Sequence, residues 1–166
     1  MRLATWVVLL LASSASIASA QSKGVAPESQ RKLAELFAQL DEKTCEKVSD
    51  KGDVWECTYR GTGLRQISVR ALLLQEDVID ADVLMTVSVF ATMSDFPDTP
   101  DFLRRLLNFN SEIDFGKISP LNDGRLTIMT ACPIRLVDKQ QLVLMLDQAA
   151  AINNEAFDKF GKDAKK

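Results

Sequence analysis

The stretch from Leu106 to Ile134 holds the side chains best able to do chemistry: acidic residues, three asparagines and a cysteine, set between two apolar runs. Within it, Glu112 and Asp114 could pair as a general acid and a general base. The chain contains no histidine, which removes the Ser-His-Asp triad, the Cys-His dyad and most zinc or copper sites. Neither phosphate-binding pattern, GxGxxG or GxxxxGK followed by Ser or Thr, occurs. We expect no catalytic residue, no metal site and no cofactor.

Two acidic clusters elsewhere could be taken for metal sites. The first cluster lacks the DxDxDG order and the distant glutamate of a calcium loop. It consists of Glu76, Asp77, Asp80 and Asp82. The second cluster consists of Asp95, Asp98 and Asp101, and the prolines and threonine of a helix start explain it. Both are interpreted as solvent-exposed turns.

Residues 1–20 have the three parts of a secretory signal peptide. Arg2 gives a positive start, residues 7–12 are a short apolar run, and Ala18-Ser19-Ala20 provide the small residues of a cleavage site. We expect cleavage before Gln21, since the apolar run is too short to remain as a membrane-spanning helix. The sequence therefore predicts a periplasmic or secreted protein without stable membrane insertion.

The mature chain is long enough for one domain and too short for two. We divide it into a short leader at 21–28, a single domain at 29–160 and a basic tail at 161–166, expected to be solvated and frayed. The formal charge of the whole chain is −3. Because a mildly acidic surface repels phosphates, we expect no nucleic-acid or anionic-membrane partner.

Cys45 and Cys57 flank a predicted hairpin turn at Asp50-Lys51-Gly52, where glycine suits the positive φ of a three-residue loop. In that register the two cysteines face each other, and an oxidising compartment favours their pairing. We predict a structural disulfide worth about 2–3 kcal/mol on the chain-entropy model. The alternative is a redox pair, but the chain has no CxxC to tune a thiolate.

Cys132 is the remaining cysteine of the mature chain. Alternation places it with Leu126 and Ile128 on an apolar face, which predicts a buried, inert thiol. Intermolecular pairing and a reactive thiol are the alternatives.

Three segments have the apolar spacing of helices that pack one face on a flat surface. The first begins at a capping Ser29, the second at Thr99 with Pro100 as its first helical residue, and the third at Asp138. Their apolar faces are Leu33, Leu36, Phe37 and Leu40; Phe102, Leu106, Phe109 and Ile113; and Leu142, Met145, Leu146, Ala149, Ile152, Ala156 and Phe157.

The other segments alternate as strands. The clearest lies at 82–93, where one face is wholly apolar and is expected to form the core. It consists of Val83, Met85, Val87, Val89, Ala91 and Met93. Near the end of the chain, a three-residue loop at 122–124 would pair Ile118 with Ile128 and keep the apolar faces together. The order α-ββββ-α-ββ-α predicts an α+β fold, an antiparallel sheet with helices packed on it.

Several segments resemble the YbjN-like family: "LLNFNSE", "FGKI", "NDGRLTI", "ACPI" and "LVLMLDQAAAINNEAFDKF", with Asn110, Gly116, Gly124 and Pro133 at intervals. The resemblance covers residues 28–160. It implies the fold of type III secretion chaperones and a role as a sensory-transduction regulator or chaperone-like protein. Those chaperones form dimers and bind extended peptides, and the family offers no catalytic residues. The signal peptide and the disulfide depart from cytosolic chaperones and argue against a role in loading effectors.

The leading hypothesis is an exported, non-enzymatic protein-binding module, chaperone-like or regulatory, with a protein or peptide partner and a homodimer as a further expected assembly. Its predicted partner-binding surface uses apolar side chains beyond the expected core face, namely Leu72, Leu74, Leu84 and Phe90. The alternatives are a small-ligand or lipid carrier with a cavity between sheet and helices, and a metal-dependent hydrolase using carboxylates.

Overall fold

The computed structural model describes residues 24–40, 44–76 and 81–163. The predicted signal peptide, Asp77, Asp80 and the end of the basic tail lie outside these ranges. Within them the chain forms helices and strands in the predicted order, which confirms the α+β class. The elements are α1 (Pro27–Ala38), β1 (Thr44–Lys47), β2 (Val54–Arg60), β3 (Gln66–Glu76), β4 (Ala81–Thr92), α2 (Pro100–Glu112), β5 (Lys117–Pro120), β6 (Arg125–Pro133) and α3 (Lys139–Phe160).

The strands form one antiparallel sheet in the order β1-β2-β3-β4-β6-β5. Cys45 lies opposite Cys57, and Ile118 lies opposite Ile128, as the hairpin registers predicted. The β5–β6 turn ends at Gly124, whose φ of +82° is the left-handed conformation that glycine adopts at little cost. The local turn chemistry thus set both registers.

The helices pack on one face of the sheet. On α1, the ring of Phe37 stacks on Trp55 of β2, with centroids 4.4 Å apart. On α3, the ring of Phe160 meets Phe102 and Phe109 of α2 edge to face, at centroid distances of 5.8 and 5.6 Å. These aromatic contacts join the helices into one core with the sheet beneath them.

The predicted helix starts are confirmed for two of the helices. The Thr99 hydroxyl accepts a hydrogen bond from the Phe102 amide at 3.3 Å, and the Asp138 carboxylate accepts one from the Gln141 amide at 2.7 Å. The prediction for α1 was wrong: the cap is Ala26 rather than Ser29, and the helix begins at Pro27, inside the expected leader. Proline is favoured at the first helical position because its missing N–H would have no partner there.

The stretch that opened the sequence analysis is a structural joint. The Asn110 side chain accepts a hydrogen bond from the Ile118 amide at 2.7 Å and donates one to its carbonyl at 2.8 Å, so it fastens the edge strand β5 to the end of α2. Gly116 precedes that strand with φ +80°, and a Cβ there would lie 2.9 Å from the Met129 carbonyl oxygen. Both residues serve the fold.

None of the helices in the described ranges combines the length and the apolar character that a membrane crossing needs.

Candidate functional site

The two faces of β4 decide where the molecule has an unpartnered surface. The face that meets the helices is formed by Leu84, Thr86, Ser88 and Phe90, each at most 8% exposed. On the other face, Met85, Val87 and Val89 point away from all three helices, and Val89 is 41% exposed. The sequence-based assignment to the core was wrong for these three residues. It holds for Val83, which is buried, and for Ala91 and Met93, which follow a bulge after Val89 and pack against the core.

Hydrogen bonds explain why the more polar face is buried. The Ser88 hydroxyl donates to the Ser68 carbonyl at 2.7 Å and accepts from the side-chain amide of Asn153 at 2.7 Å. The hydroxyls of Thr86 and Thr130 lie 2.9 Å apart and bond each other. Because each of these buried groups has a partner, the usual cost of burying a polar side chain is largely removed.

Asn153 of α3 was missed by periodicity, and it is fully buried. Its carbonyl oxygen accepts a hydrogen bond from the Arg65 guanidinium at 2.8 Å, and that guanidinium lies 4.2 Å from the ring centroid of Phe157. Phe157 was predicted on the buried face, but it is 40% exposed and covers the arginine instead. Burial lowers the pKa of Arg65, and the nearby charge of Asp158 opposes this. An asparagine within an apolar helix face could have signalled a buried polar contact.

The helix-free side of the sheet, called the open face from here on, carries a continuous apolar patch. Strand pairing sets its rows: Val54, Leu72, Met85 and Ala131 lie side by side across four strands. The apolar residues of the open face are Val54, Leu72, Leu74, Val83, Met85, Val87, Val89, Met129, Ala131 and Pro133. Most of them are half-buried by one another and carry no described helix above them.

Ordinary strand spacings give the open-face patch a size of about 15 by 20 Å, or about 300 Å². Apolar patches of about 300–600 Å² are the largest on typical monomers and are often functional. The open face is therefore the strongest candidate for a binding site on this side of the molecule.

One edge of the open face is polar and hydrogen-bonded. Glu56 of β2 accepts hydrogen bonds from the Ser68 hydroxyl and the Arg70 guanidinium of β3, both at 2.7 Å. The Ser68 hydrogen bond first, and then Arg70, hold the pKa of Glu56 below its usual range. Glu46 lies directly opposite Glu56 on β1. These residues form a charged border beside the apolar patch.

The four residues of the predicted partner-binding surface lie on two different faces of the sheet. Leu72 and Leu74 lie on the open face, paired with Met85 and Val83 of β4. Leu84 and Phe90 are 0% and 8% exposed, so their assignment to a surface was wrong. Both residues belong to the core. They lie on the hydrogen-bonded polar face of β4, and that face is turned toward the helices.

Cys45 and Cys57 lie opposite each other as predicted, whereas Cys132 is less buried than predicted. Cys45 and Cys57 form a disulfide, with sulfur atoms 2.08 Å apart. Cys57 is buried beside Val69 of β3, while Cys45 is on the edge strand. The free thiol of Cys132 is partly buried on the helix side, and burial raises its pKa, with the charge of Lys32 acting in the opposite direction.

The acidic residues do not assemble a catalytic or metal centre in the described part of the chain. Glu112 bonds Lys159 at 2.9 Å, and Asp95 accepts a hydrogen bond from the Thr92 amide at 2.8 Å. No group of three or more metal-ligating side chains comes together within the described ranges. Tyr59 and Asp147 interact, but burial first, and then the aspartate, raise the pKa of the phenol well above its usual value. A phenol of that kind stays protonated at neutral pH and is a poor general base.

No family model matches the sequence, and no curated protein matches it. The solved structures that match this chain include the following two. A chain of the ExsC-ExsE complex has a TM-score of 0.50 at 13% sequence identity, covering 80% of this chain and 92% of that one. A chain of the heterodimeric complex ExoU-SpcU from the type III secretion system of Pseudomonas aeruginosa has a TM-score of 0.43 at 16% identity, covering 59% of this chain and 78% of that one.

The first likeness shows the fold class, since identity this low supports nothing further. The chain has the α+β fold that its sequence predicted, with helices on one face of an antiparallel sheet, and it shares this fold with the chain of the ExsC-ExsE complex.

Proposed function

We propose that this protein is an exported, non-enzymatic protein-binding module, a chaperone-like member of the YbjN-like family, which holds an apolar segment of a partner protein on the open face. The observation that carries the proposal is the apolar patch on the side of the sheet that the described helices leave uncovered. Contiguous apolar patches of about this extent are often binding sites.

The size of the patch favours a segment over a second copy of the chain. A stable interface between two folded proteins needs about 800 Å² from each partner, whereas the open-face patch offers about 300 Å² by strand geometry. An extended segment of about six residues is about 20 Å long, which matches the run from Val83 to Val89 along β4. A short apolar segment therefore fits this surface better than a second sheet does.

The ExsC-ExsE likeness supports a binding role rather than an enzymatic one, since that chain was solved with another protein. Export rests on the signal-peptide pattern of residues 1–20 and is supported by a disulfide, which persists in oxidising compartments. The mature protein should begin at Gln21, and intact-mass measurement of the exported protein checks this. A mass that includes residues 1–20 would overturn export by cleavage.

Methionine methyl NMR can test the open face, because the methionines sample both sides of the sheet. Met85 and Met129 lie on the open face, and Met145 of α3 is 4% exposed in the core. The probe is a synthetic peptide of about eight residues that alternates valine and serine, with an all-serine peptide as its control. We expect the valine peptide to shift the Met85 and Met129 signals in a saturable way, while Met145 stays unchanged.

Three results would overturn the proposal. Equal shifts from the serine peptide, or none from either peptide, would show that the open face does not hold apolar segments. Shifts of Met85 and Met129 that depend on protein concentration without peptide, together with a dimer in light scattering, would assign this face to a second copy.

A further inference from the structure

A groove lies between the end of α2 and the middle of α3, on the helix side of the molecule. It has a volume of about 310 Å³ and an apolar floor formed by Phe109, Ile113 and Ile152. The ring of Phe115 forms its lip and is 52% exposed. An exposed phenylalanine beside an apolar floor gives a place where a partner's apolar side chain could be buried.

The rim of this α2–α3 groove is acidic. Glu112, Asp114 and Glu155 line it, together with the neutral Gln148. Glu112 is paired with Lys159, whose ammonium also lies 4.6 Å from the ring centroid of Phe109. Asp114 and Glu155 have no ion-pair partner among the residues that the structure describes. The ammonium of Lys117 also lies at this end of α2, 3.4 Å from the Ile113 carbonyl oxygen. With three carboxylates against the ammonium groups of Lys117 and Lys159, the groove keeps a small excess of negative charge around an apolar centre.

A second depression adjoins the groove across α3. It has a volume of about 370 Å³ and is lined by Tyr59, Arg60 and Ile67 of the sheet and by Asp147, Ala150, Ala151 and Asn154 of α3. Ala151 lines both depressions and is exposed. Because its side chain is only a methyl group, a partner segment could cross α3 at this point and extend from the groove into the second depression.

We propose that the α2–α3 groove is a second docking site, which takes a partner segment with an apolar side chain flanked by lysine or arginine. Charge complementarity selects this occupant: the apolar side chain enters between Ile113 and Ile152, and the flanking cations meet Asp114 and Glu155. The acidic rim repels phosphates, so the occupant is a protein segment rather than a nucleic acid or an anionic lipid. This site is separate from the open face and does not depend on the function proposed for it.

The test uses a fluorescein-labelled peptide of about ten residues in which leucine and phenylalanine alternate with lysine pairs. Anisotropy with the mature protein measures its affinity. One control peptide replaces lysine by glutamate, and another replaces the apolar residues by serine. We expect saturable binding of the lysine peptide alone, weakening as salt is raised, since exposed charges are screened.

Two variants locate the site. Ala151→Trp places a bulky ring between the two depressions and should weaken binding at least about fivefold, since it blocks the apolar contacts. Its matched control is Ala38→Trp, an exposed alanine at the end of α1. The pair Asp114→Asn and Glu155→Gln should weaken binding about two- to tenfold, the range for exposed ion pairs. Its control is Glu28→Gln with Glu35→Gln on α1, which removes the same charge.

Circular dichroism establishes that each variant is folded before its affinity is compared. Equal affinity for the glutamate or serine peptide would overturn the proposal, as would unchanged affinity in Ala151→Trp. An equal loss in the α1 controls would do the same, because it would show a general charge effect. None of these results bears on the Met85 and Met129 signals, so the open-face proposal stands or falls by its own test.

Discussion

The side-chain amide of Asn153 on α3 donates a hydrogen bond to the Ser88 hydroxyl on β4 across 2.7 Å, in a position fully shielded from water. The same amide donates to the Val89 carbonyl at 2.9 Å. One helical side chain therefore satisfies the polar face of the central strand and fixes it toward the helices. The apolar face of that strand is left outward, where a partner can reach it.

Replacing Asn153 by alanine should destabilise the fold by about 2–4 kcal/mol, since the buried Ser88 hydroxyl and the Arg65 guanidinium each lose the hydrogen bond that Asn153 supplies. Urea unfolding followed by fluorescence measures the loss. Asn154→Ala is the matched control, because its neighbouring amide bonds Thr62 at an exposed site where water can substitute. We expect it to cost less than about 1 kcal/mol. Equal costs for the two variants would show that the Asn153 contacts add nothing.

The inverted faces of β4 give a second prediction. Leu84 is 0% exposed, so Leu84→Ala should cost about 2–5 kcal/mol through the cavity it leaves. Val89 is 41% exposed on the open face, so Val89→Thr should change stability by no more than about 1 kcal/mol. Thermal and urea unfolding compare the two variants. The reverse order would mean that Val89 is covered and that the open face is part of the core.

The features that the sequence predicted correctly depend on contacts between residues close together in the chain. The spacing of apolar residues located the helices, and the loops at Gly52 and Gly124 set the registers that place Cys45 opposite Cys57 and Ile118 opposite Ile128. The caps at Thr99 and Asp138 follow from side chains that bond amides three residues on. All of these contacts lie close together in the chain or within one hairpin.

The face of β4 could not be predicted, because its deciding contact is remote. Hydropathy ranks valine and methionine above threonine and serine, and so it placed Met85, Val87 and Val89 in the core. Ser88 is bonded by Asn153, which lies 65 positions away in the chain. The sequence therefore predicted only part of the open face. Leu72 and Leu74 lie on it, whereas Leu84 and Phe90, which were assigned to the same surface, lie in the core.

The Cys45–Cys57 disulfide should contribute about 2–3 kcal/mol, because it closes a short loop in the unfolded chain. The double variant Cys45→Ala with Cys57→Ala should lose that amount in urea unfolding. Reduction of the native protein should cause a similar loss. Cys132→Ala serves as the control, since its thiol is free. Peptide mapping without reductant should recover residues 45 and 57 in one linked fragment, and free thiols at both positions would refute the bridge.

The Cys132 thiol gives a prediction of pH dependence. Its pKa is raised by burial, while the positive charge of Lys32 lowers it to a smaller extent. Only the thiolate is alkylated, so the rate with iodoacetamide should still be rising at a pH where free cysteine has levelled off. Lys32→Gln should move the midpoint of the rate profile further upward, because it removes the charge that favours the thiolate. Arg31→Gln, which neutralises the adjacent α1 residue paired with Glu35 at 3.8 Å, is the matched control and should leave the midpoint unchanged. A midpoint at or below that of free cysteine measured in parallel would show an exposed, activated thiol and contradict the inert role.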